Sequence, residues 1–110
     1  FYDGIAKGCF AIDIHGPNDS GQIFTGSGKR TYNIPYRCLV PKGIDNLLVS
    51  GRCISTSHEA LASVRVMATC MAMGQAAGTA AALSIINEVS PKKLDISLLQ
   101  KTLRDQNVVI

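Results

Sequence analysis

Three side chains of this sequence could act on a small molecule: His58, Arg65 and His15. His58 stands beside Glu59 in a polar loop, where an imidazole can hydrogen-bond an anionic group or exchange a proton near neutral pH. The alternative for His58 is a local role as a cap or as the partner of Glu59. Arg65 carries a guanidinium that binds carboxylates bidentately, or that forms a structural ion pair with a part of the protein outside this chain.

His15 ends a run of alternating apolar and polar residues that predicts a strand. Successive strand side chains point to opposite faces, so Asp13 and His15 share one face. Two interpretations follow: His15 is a site residue on a sheet that covers the substrate, or it forms a structural pair with Asp13.

The elements that must position His58 and Arg65 are a strand, a glycine turn and a long helix. Leu47–Ser50 is a short apolar run that suits a strand buried on both faces, and Gly51-Arg52 follows as a turn. The helix begins between Glu59 and Val66 and ends near Asn87. The free N–H groups and the positive dipole end at its start would stabilise an anionic or electron-rich group.

The other predicted elements follow from turn residues, β-branched residues and a capping aspartate. They are a strand at Gly8–Ile14, a loop at Gly16–Gly28, a strand at Thr31–Tyr36, a separate short strand at Tyr36–Val40, a turn at Pro41-Lys42-Gly43 and a linker at Glu88–Asp95. A final helix is predicted from Ile96 to Gln106. Asp95 caps this helix, and Ile96, Leu99 and Leu103 lie on one of its faces.

The long helix has no charged residue from Val66 to Ile86, and it carries a Gly74-x-x-x-Gly78 spacing. Its length and this spacing would also fit a membrane span. We favour a helix buried in a larger α/β domain, because Ala and Gly contribute little transfer free energy and Gln75 lies in mid-helix. Such a helix needs more protein around it than 110 residues supply, and Met71 and Met73 would fill its core contacts.

The composition narrows the function classes. With 46% hydrophobic residues and a mean hydropathy of +0.18, the composition predicts a folded segment with a core and not a disordered one. Its net charge of +3 comes from dispersed basic residues without interleaved aromatics, which argues against nucleic-acid binding. The wide spacing of the four cysteines argues against a metal site and a disulfide framework. We therefore expect free, mostly buried thiols and a cytoplasmic location, and Cys53 is either a small buried residue or a redox thiol. Because the sequence begins at Phe1, we expect the chain to be a fragment of a longer protein.

Several segments resemble the C-terminal part of a bacterial family of FAD-dependent oxidoreductases. The resemblance covers the chain from Gly8 to Leu83. It is carried by residues 34–55 (IPYRCLVPKGIDNLLVSGRCIS), 58–61 (HEAL), 65–67 (RVM) and 69–81 (TCMAMGQAAGTAA), with Asp13-Ile14-His15 and Pro17 upstream.

This resemblance implies a cofactor, FAD, and a set of residues around it. Gly51, Arg52, Cys53, Ile54 and Ser55 would line the flavin, together with Val66, Met67 and Ala68 at the helix start. His58, Arg65 and His15 would face a small-molecule substrate.

The resemblance also implies an N-terminal part of the same protein, in which a Rossmann-like G-x-G-x-x-G holds the ADP half of FAD. Gly26-Ser27-Gly28 is no substitute, because no strand-to-helix context surrounds it. A more distant similarity is to the fumarate reductase class. In that class an acidic residue stands at the position of Arg52, and a substrate-binding histidine stands at the position of His58.

We therefore expect an α/β protein, α+β as a fragment. The C-terminal strand and helix of a Rossmann-like FAD-binding domain (residues 41–88) would adjoin an antiparallel β segment of a substrate or cap region (1–40) and a C-terminal linker and helix (89–110). The parent would transfer a hydride between an organic substrate and flavin, while the fragment alone is inactive. The alternatives are a non-catalytic core fragment that self-associates through its apolar helix into a homo-oligomer, and a membrane-anchored segment.

Overall fold

The N-terminal part of the fold consists of two antiparallel strand pairs. The computed structural model describes residues 1–15, 22–25 and 31–110. Strand β1 (Gly4–Gly8) pairs with β4 (Tyr32–Pro35), and β2 (Ile12–His15) pairs with β3 (Gln22–Thr25). Both pairs lie in the range that the sequence assigns to an antiparallel β segment.

The strand predictions hold in part. The strand predicted at Thr31–Tyr36 is confirmed as β4. The single strand predicted at Gly8–Ile14 is wrong, because the chain leaves β1 at Gly8 and enters β2 at Ile12. The loop predicted at Gly16–Gly28 contains β3, and its other residues, including Gly26-Ser27-Gly28, lie outside the described residues.

Two predicted strands do not form. Tyr36–Leu39 is a 3-10 helix instead. The Tyr36 N–H still donates to the Asp3 carbonyl at 2.7 Å, and the chain turns after this hydrogen bond. Leu47–Ser50 forms no ladder in the described part of the chain, although Val49 N–H donates to the Leu39 carbonyl at 2.9 Å. An apolar run indicates burial, but a strand also needs a neighbour with which to pair. The turn predicted at Pro41-Lys42-Gly43 is confirmed.

The predicted long helix is two helices. Helix α1 (His58–Val64) ends at Arg65, Val66 is extended (φ −73°, ψ 151°), and α2 runs from Met67 to Ile86. The predicted end near Asn87 is confirmed.

Helix α3 (Ile96–Asp105) begins where the sequence predicts. The Asp95 carboxylate accepts the Ser97 N–H at 2.8 Å, which caps the helix N-terminus. Leu99 and Leu103 are fully buried, whereas Ile96 is half-buried. A short 3-10 helix, Pro91–Lys93, lies in the linker that precedes α3.

The core lies where β1 and β4 meet α2 and α3. Ile5, Met73, Leu99 and Leu103 are each 0% exposed there. One stripe of α2 faces this core at intervals of three and four residues, as expected for an amphipathic contact. The stripe consists of Thr69, Met73, Ala76, Ala80 and Ser84.

The opposite face of α2 is uncovered by the described residues. Met67, Met71 and Ile85 are 80%, 72% and 79% exposed. The prediction that Met71 fills the core is therefore wrong for this chain, while that for Met73 is confirmed. By length and composition alone, α2 could cross a membrane, but core helices of soluble proteins pass the same test.

Candidate functional site

A small pocket lies between β2 and α1. His58, Leu61, Ala62 and Arg65 follow each other at i, i+3, i+4 and i+7, so they form one stripe along α1. Asp13 and Ile14 of β2 complete the lining of this pocket, whose volume is about 130 Å³. The structure thus brings His58 and Arg65 together at the two ends of one helix face. The i, i+3, i+4 and i+7 spacing of these four residues is the sequence signal from which this pocket could be predicted.

Asp13 holds Arg65 at the edge of this pocket. Arg65 Nη2 donates to the Asp13 carbonyl oxygen at 3.1 Å and lies 3.8 Å from Asp13 Oδ2. Both side chains are largely covered, with 34% and 18% of their areas exposed. Arg65 therefore has an ion-pair partner within this chain.

The predicted partner of Asp13 was His15. The backbone of His15 belongs to β2 and pairs with Gln22, whereas its side chain lies outside the described part of the structure. The role of His15 in the site stays a prediction.

His58 occupies the first turn of α1. The Ser57 hydroxyl caps this helix by accepting the Ala60 N–H at 3.3 Å. Hydrogen bonds from the Glu59 backbone N–H and then from the Ser57 hydroxyl lower the pKa of the Glu59 carboxyl, and the neighbouring His58 lowers it further. The exposed carboxylate therefore stays charged beside His58. His58 therefore lies beside the Glu59 carboxylate and also lines the pocket, so the two interpretations of this residue do not exclude each other.

The start of α2 carries backbone donors without a side-chain cap from the described residues. Val66 precedes the helix without a side-chain hydrogen bond from any described residue, and the first turn contains no acidic residue. Met67 and Ala68 are exposed. Since the first N–H groups of a helix have no partner within it, they remain available to an acceptor.

The 3-10 helix Gly51–Cys53 packs against the same end of α2. Gly51 has φ +62°, and a Cβ placed there would lie 3.8 Å from Cys70 Sγ. Glycine is therefore required by the backbone conformation and not by lack of space. Arg52, Cys53 and Ser55 are exposed and Ile54 is buried, so the prediction of a buried Cys53 thiol is wrong.

The four cysteines are free thiols, of which Cys9 and Cys53 are exposed and Cys38 and Cys70 are half-buried. The expectation of mostly buried thiols is therefore wrong for two of them. Within residues 1–15, 22–25 and 31–110, no group of three or more His, Cys, Asp or Glu side chains is placed to hold a metal ion.

The fold and this site define a small unit of helices and short antiparallel sheets, compatible with α+β, in which a pocket between β2 and α1 lies close to the start of α2. The chain belongs to the FAD dependent oxidoreductase family, whose sequence model matches residues 1–103. Comparison with curated proteins found no match, and neither did comparison with solved structures. The resemblance to FAD-dependent oxidoreductases is thereby confirmed, and this membership implies FAD binding in the parent protein.

Of the residues predicted to line the flavin, Gly51 and those at the start of α2 would suit one end of such a group, whereas Ile54 is buried. The uncapped N–H donors at the start of α2 would suit an electron-rich group, because the positive end of the helix dipole lies there as well. The left-handed Gly51 lets the backbone beside α2 turn with no side chain projecting from it.

Proposed function

We propose that this chain is the C-terminal part of an FAD-dependent oxidoreductase, inactive by itself, whose parent transfers a hydride between an organic substrate and flavin. The observation that carries the proposal is the family match over residues 1–103. When bound, FAD supplies the capacity to take up or release a hydride, and the protein supplies binding and electrostatics. The 110 residues contain no G-x-G-x-x-G. We therefore assign the ADP half to an N-terminal part of the same protein, in a Rossmann-like domain that this chain completes.

In this proposal, Gly51–Ser55 and the start of α2 hold the ring end of the cofactor. Val66, Met67 and Ala68 offer backbone N–H groups, and their donors stabilise negative charge at the ring edge. The absence of an acidic residue in the first turn of α2 supports this assignment, because a carboxylate there would compete for the same donors. On either side of Arg52, Gly51 or Cys53 contributes a backbone contact.

The substrate side of the site is the pocket between β2 and α1. Arg65 binds a carboxylate or another anionic group of the substrate, in a position that Asp13 fixes. His58, at the other end of the stripe, hydrogen-bonds the substrate or moves a proton at its imidazole. His15, whose backbone belongs to β2, is the third residue that we assign to the substrate. Arg65 and Val66 are consecutive residues, which supports neighbouring sites for substrate and cofactor.

The proposal is tested on the full-length parent protein. We expect it to purify with bound FAD, seen as visible flavin absorbance. Arg65→Ala should leave the FAD content unchanged and raise KM for a carboxylate substrate about 10-fold or more, since a hydrogen bond to a charged group contributes about 1.5–3 kcal/mol. Arg104→Ala, an exposed position on α3, is the matched control and should change neither quantity. A parent protein that contains no flavin and takes none up would contradict the proposal.

The uncovered face of α2 favours one alternative, a non-catalytic core fragment that self-associates. Met67, Met71 and Ile85 present apolar surface that a second copy would cover. Size-exclusion chromatography distinguishes the two, because a monomer at high protein concentration excludes self-association. We place the parent in the cytoplasm and off the membrane, and solubility of the chain without detergent tests that placement against a membrane-anchored segment.

A further inference from the structure

A larger cleft lies away from the pocket of His58 and Arg65. It is formed by Tyr2 and Asp3 just before β1, by the 3-10 helix Tyr36–Leu39 with the residues after it, and by the segment that leads into α3. Its volume is about 540 Å³. The cleft and the smaller pocket have no lining residue in common. This volume falls in the range of small-molecule sites, about 300–1,000 Å³. Tyr36 and Leu94, 4% and 5% exposed, give the cleft an apolar floor.

Hydrogen bonds join the walls of this cleft to one another. Tyr36 N–H donates to the Asp3 carbonyl at 2.7 Å, and the Tyr36 hydroxyl donates to the Pro91 carbonyl at 2.9 Å. On the other side, Ser55 N–H donates to the Cys38 carbonyl at 2.9 Å. Because three separate segments are fixed in this way, the cleft is formed before a ligand arrives, and binding requires little ordering of the chain.

The charges around the cleft are mostly positive. Asp3, whose side chain is 3% exposed, forms an ion pair with Arg37 and also accepts the Arg37 backbone N–H at 3.3 Å. Its charge is therefore offset. Lys42 and Lys92 also line the cleft, and neither forms an ion pair with any described residue. The cleft lining thus combines two positive charges that no described residue offsets with the buried Tyr36 and Leu94.

Two further features of the cleft favour an anionic ligand. The Arg37 guanidinium carbon lies 4.8 Å from the centroid of the Phe1 ring and 6.0 Å from that of Tyr2, so the side chain is held in place. Burial raises the pKa of the Cys38 thiol, more than the nearby Arg37 lowers it. The cleft thiol therefore stays neutral and does not repel an anion.

We propose that this cleft binds a small organic anion with an apolar body, at a site separate from the pocket of His58 and Arg65. The apolar part would lie on Tyr36 and Leu94, and the anionic group would lie between Lys42 and Lys92. A neutral compound of the same shape would lose the contribution of the two lysines. An inorganic anion would lose the contribution of the floor.

The experiment measures binding to the full 110-residue chain by titration calorimetry and by amide shifts in ¹H–¹⁵N spectra. The probes are 2-naphthoate and 2-naphthyl phosphate, with 2-naphthylmethanol as the neutral analogue and inorganic phosphate as the anion without an apolar body. Lys42→Gln and Lys92→Gln are the test variants. Lys101→Gln is the matched control, because this lysine is 76% exposed on α3 and pairs with Asp105.

We expect both naphthyl anions to bind and to shift the amides of Lys42, Ser55 and Leu94. Each cleft variant should weaken this binding about 2–5-fold, as for an exposed charge pair, and Lys101→Gln should not. The tighter of the two anions identifies the carboxylate or the phosphate as the preferred head group. Equal affinity for 2-naphthylmethanol, unchanged affinity in both variants, or no shift of cleft amides with either anion would overturn the proposal. Both lysines are exposed, so the variants should keep the wild-type spectrum outside the cleft.

Discussion

Replacing Tyr36 by Phe should destabilise the chain at neutral pH and remove the part of its alkali sensitivity that comes from the Tyr36 phenol. Tyr36 is 4% exposed, and its hydroxyl donates to the Pro91 carbonyl at 2.9 Å. The variant loses this hydrogen bond and leaves a buried carbonyl without its donor. We expect the free energy of unfolding to fall by about 1–3 kcal/mol at neutral pH.

The pH dependence follows from the phenol. Burial raises the pKa of Tyr36 from 10.0 to about 12 in the folded chain. The folded state therefore keeps the proton that the unfolded state loses. The contribution is fully present below pH 10 and disappears as the pH rises to about 12. At about 1.36 kcal/mol for each pKa unit, the loss amounts to about 2.7 kcal/mol.

Urea unfolding, followed by circular dichroism from neutral pH to about pH 12, measures both effects. Wild type and Tyr36→Phe differ only in the hydroxyl of residue 36, so the difference between the two proteins isolates Tyr36. Tyr2→Phe is the control, because Tyr2 is 83% exposed and should behave like wild type. If wild type and Tyr36→Phe lose stability in parallel across this range, the reasoning about the buried phenol is refuted.

Two further pairs of variants test the backbone and the core. Gly51→Ala should lower the free energy of unfolding by about 1–2 kcal/mol, because Gly51 has a φ of +62°. Gly78→Ala should raise it by about 0.5–1 kcal/mol, because Gly78 lies on a helix surface where no described atom is within 4 Å of an added Cβ. Thermal unfolding of both variants measures these changes, and equal effects would contradict the prediction. Met73→Ala should cost about 2–5 kcal/mol in chemical denaturation, because Met73 is 0% exposed. Met71→Ala should stay within about 0.5 kcal/mol, and a larger loss would mean that the outer face of α2 is covered.

Elements marked by local chemistry could be predicted from the sequence. The Asp95 cap and the apolar spacing of Leu99 and Leu103 fixed both the start and the inner face of α3. Strand β4 was predicted in the same way from its composition. In each of these cases the signal lies within a few residues of the element itself.

Elements that depend on distant partners could not be predicted. Leu47–Ser50 has the composition of a strand, but composition does not reveal whether a neighbouring strand is present. In the same way, Met71 and Met73 have equal hydrophobicity, and only the position of β1 and α3 decides which one is buried.

In the candidate site too, features with a local sequence signal could be predicted and contacts between distant residues could not. His58 and Arg65 were identified from their residue types, and the structure places both at one pocket. The contact of Arg65 with Asp13 joins residues 52 positions apart, and no local pattern indicates it. The break at Val66 also lacks a sequence signal, since neither Pro nor Gly occurs there.

The break between α1 and α2 has a consequence for engineering. Arg65 closes α1 and touches β2, and the very next residue begins the approach to the open end of α2. An insertion or deletion at this joint would rotate both helices relative to each other and displace the two halves of the candidate site at once. Specificity should therefore be altered by substitutions along the stripe of α1, with the length of the chain between Val64 and Met67 kept constant.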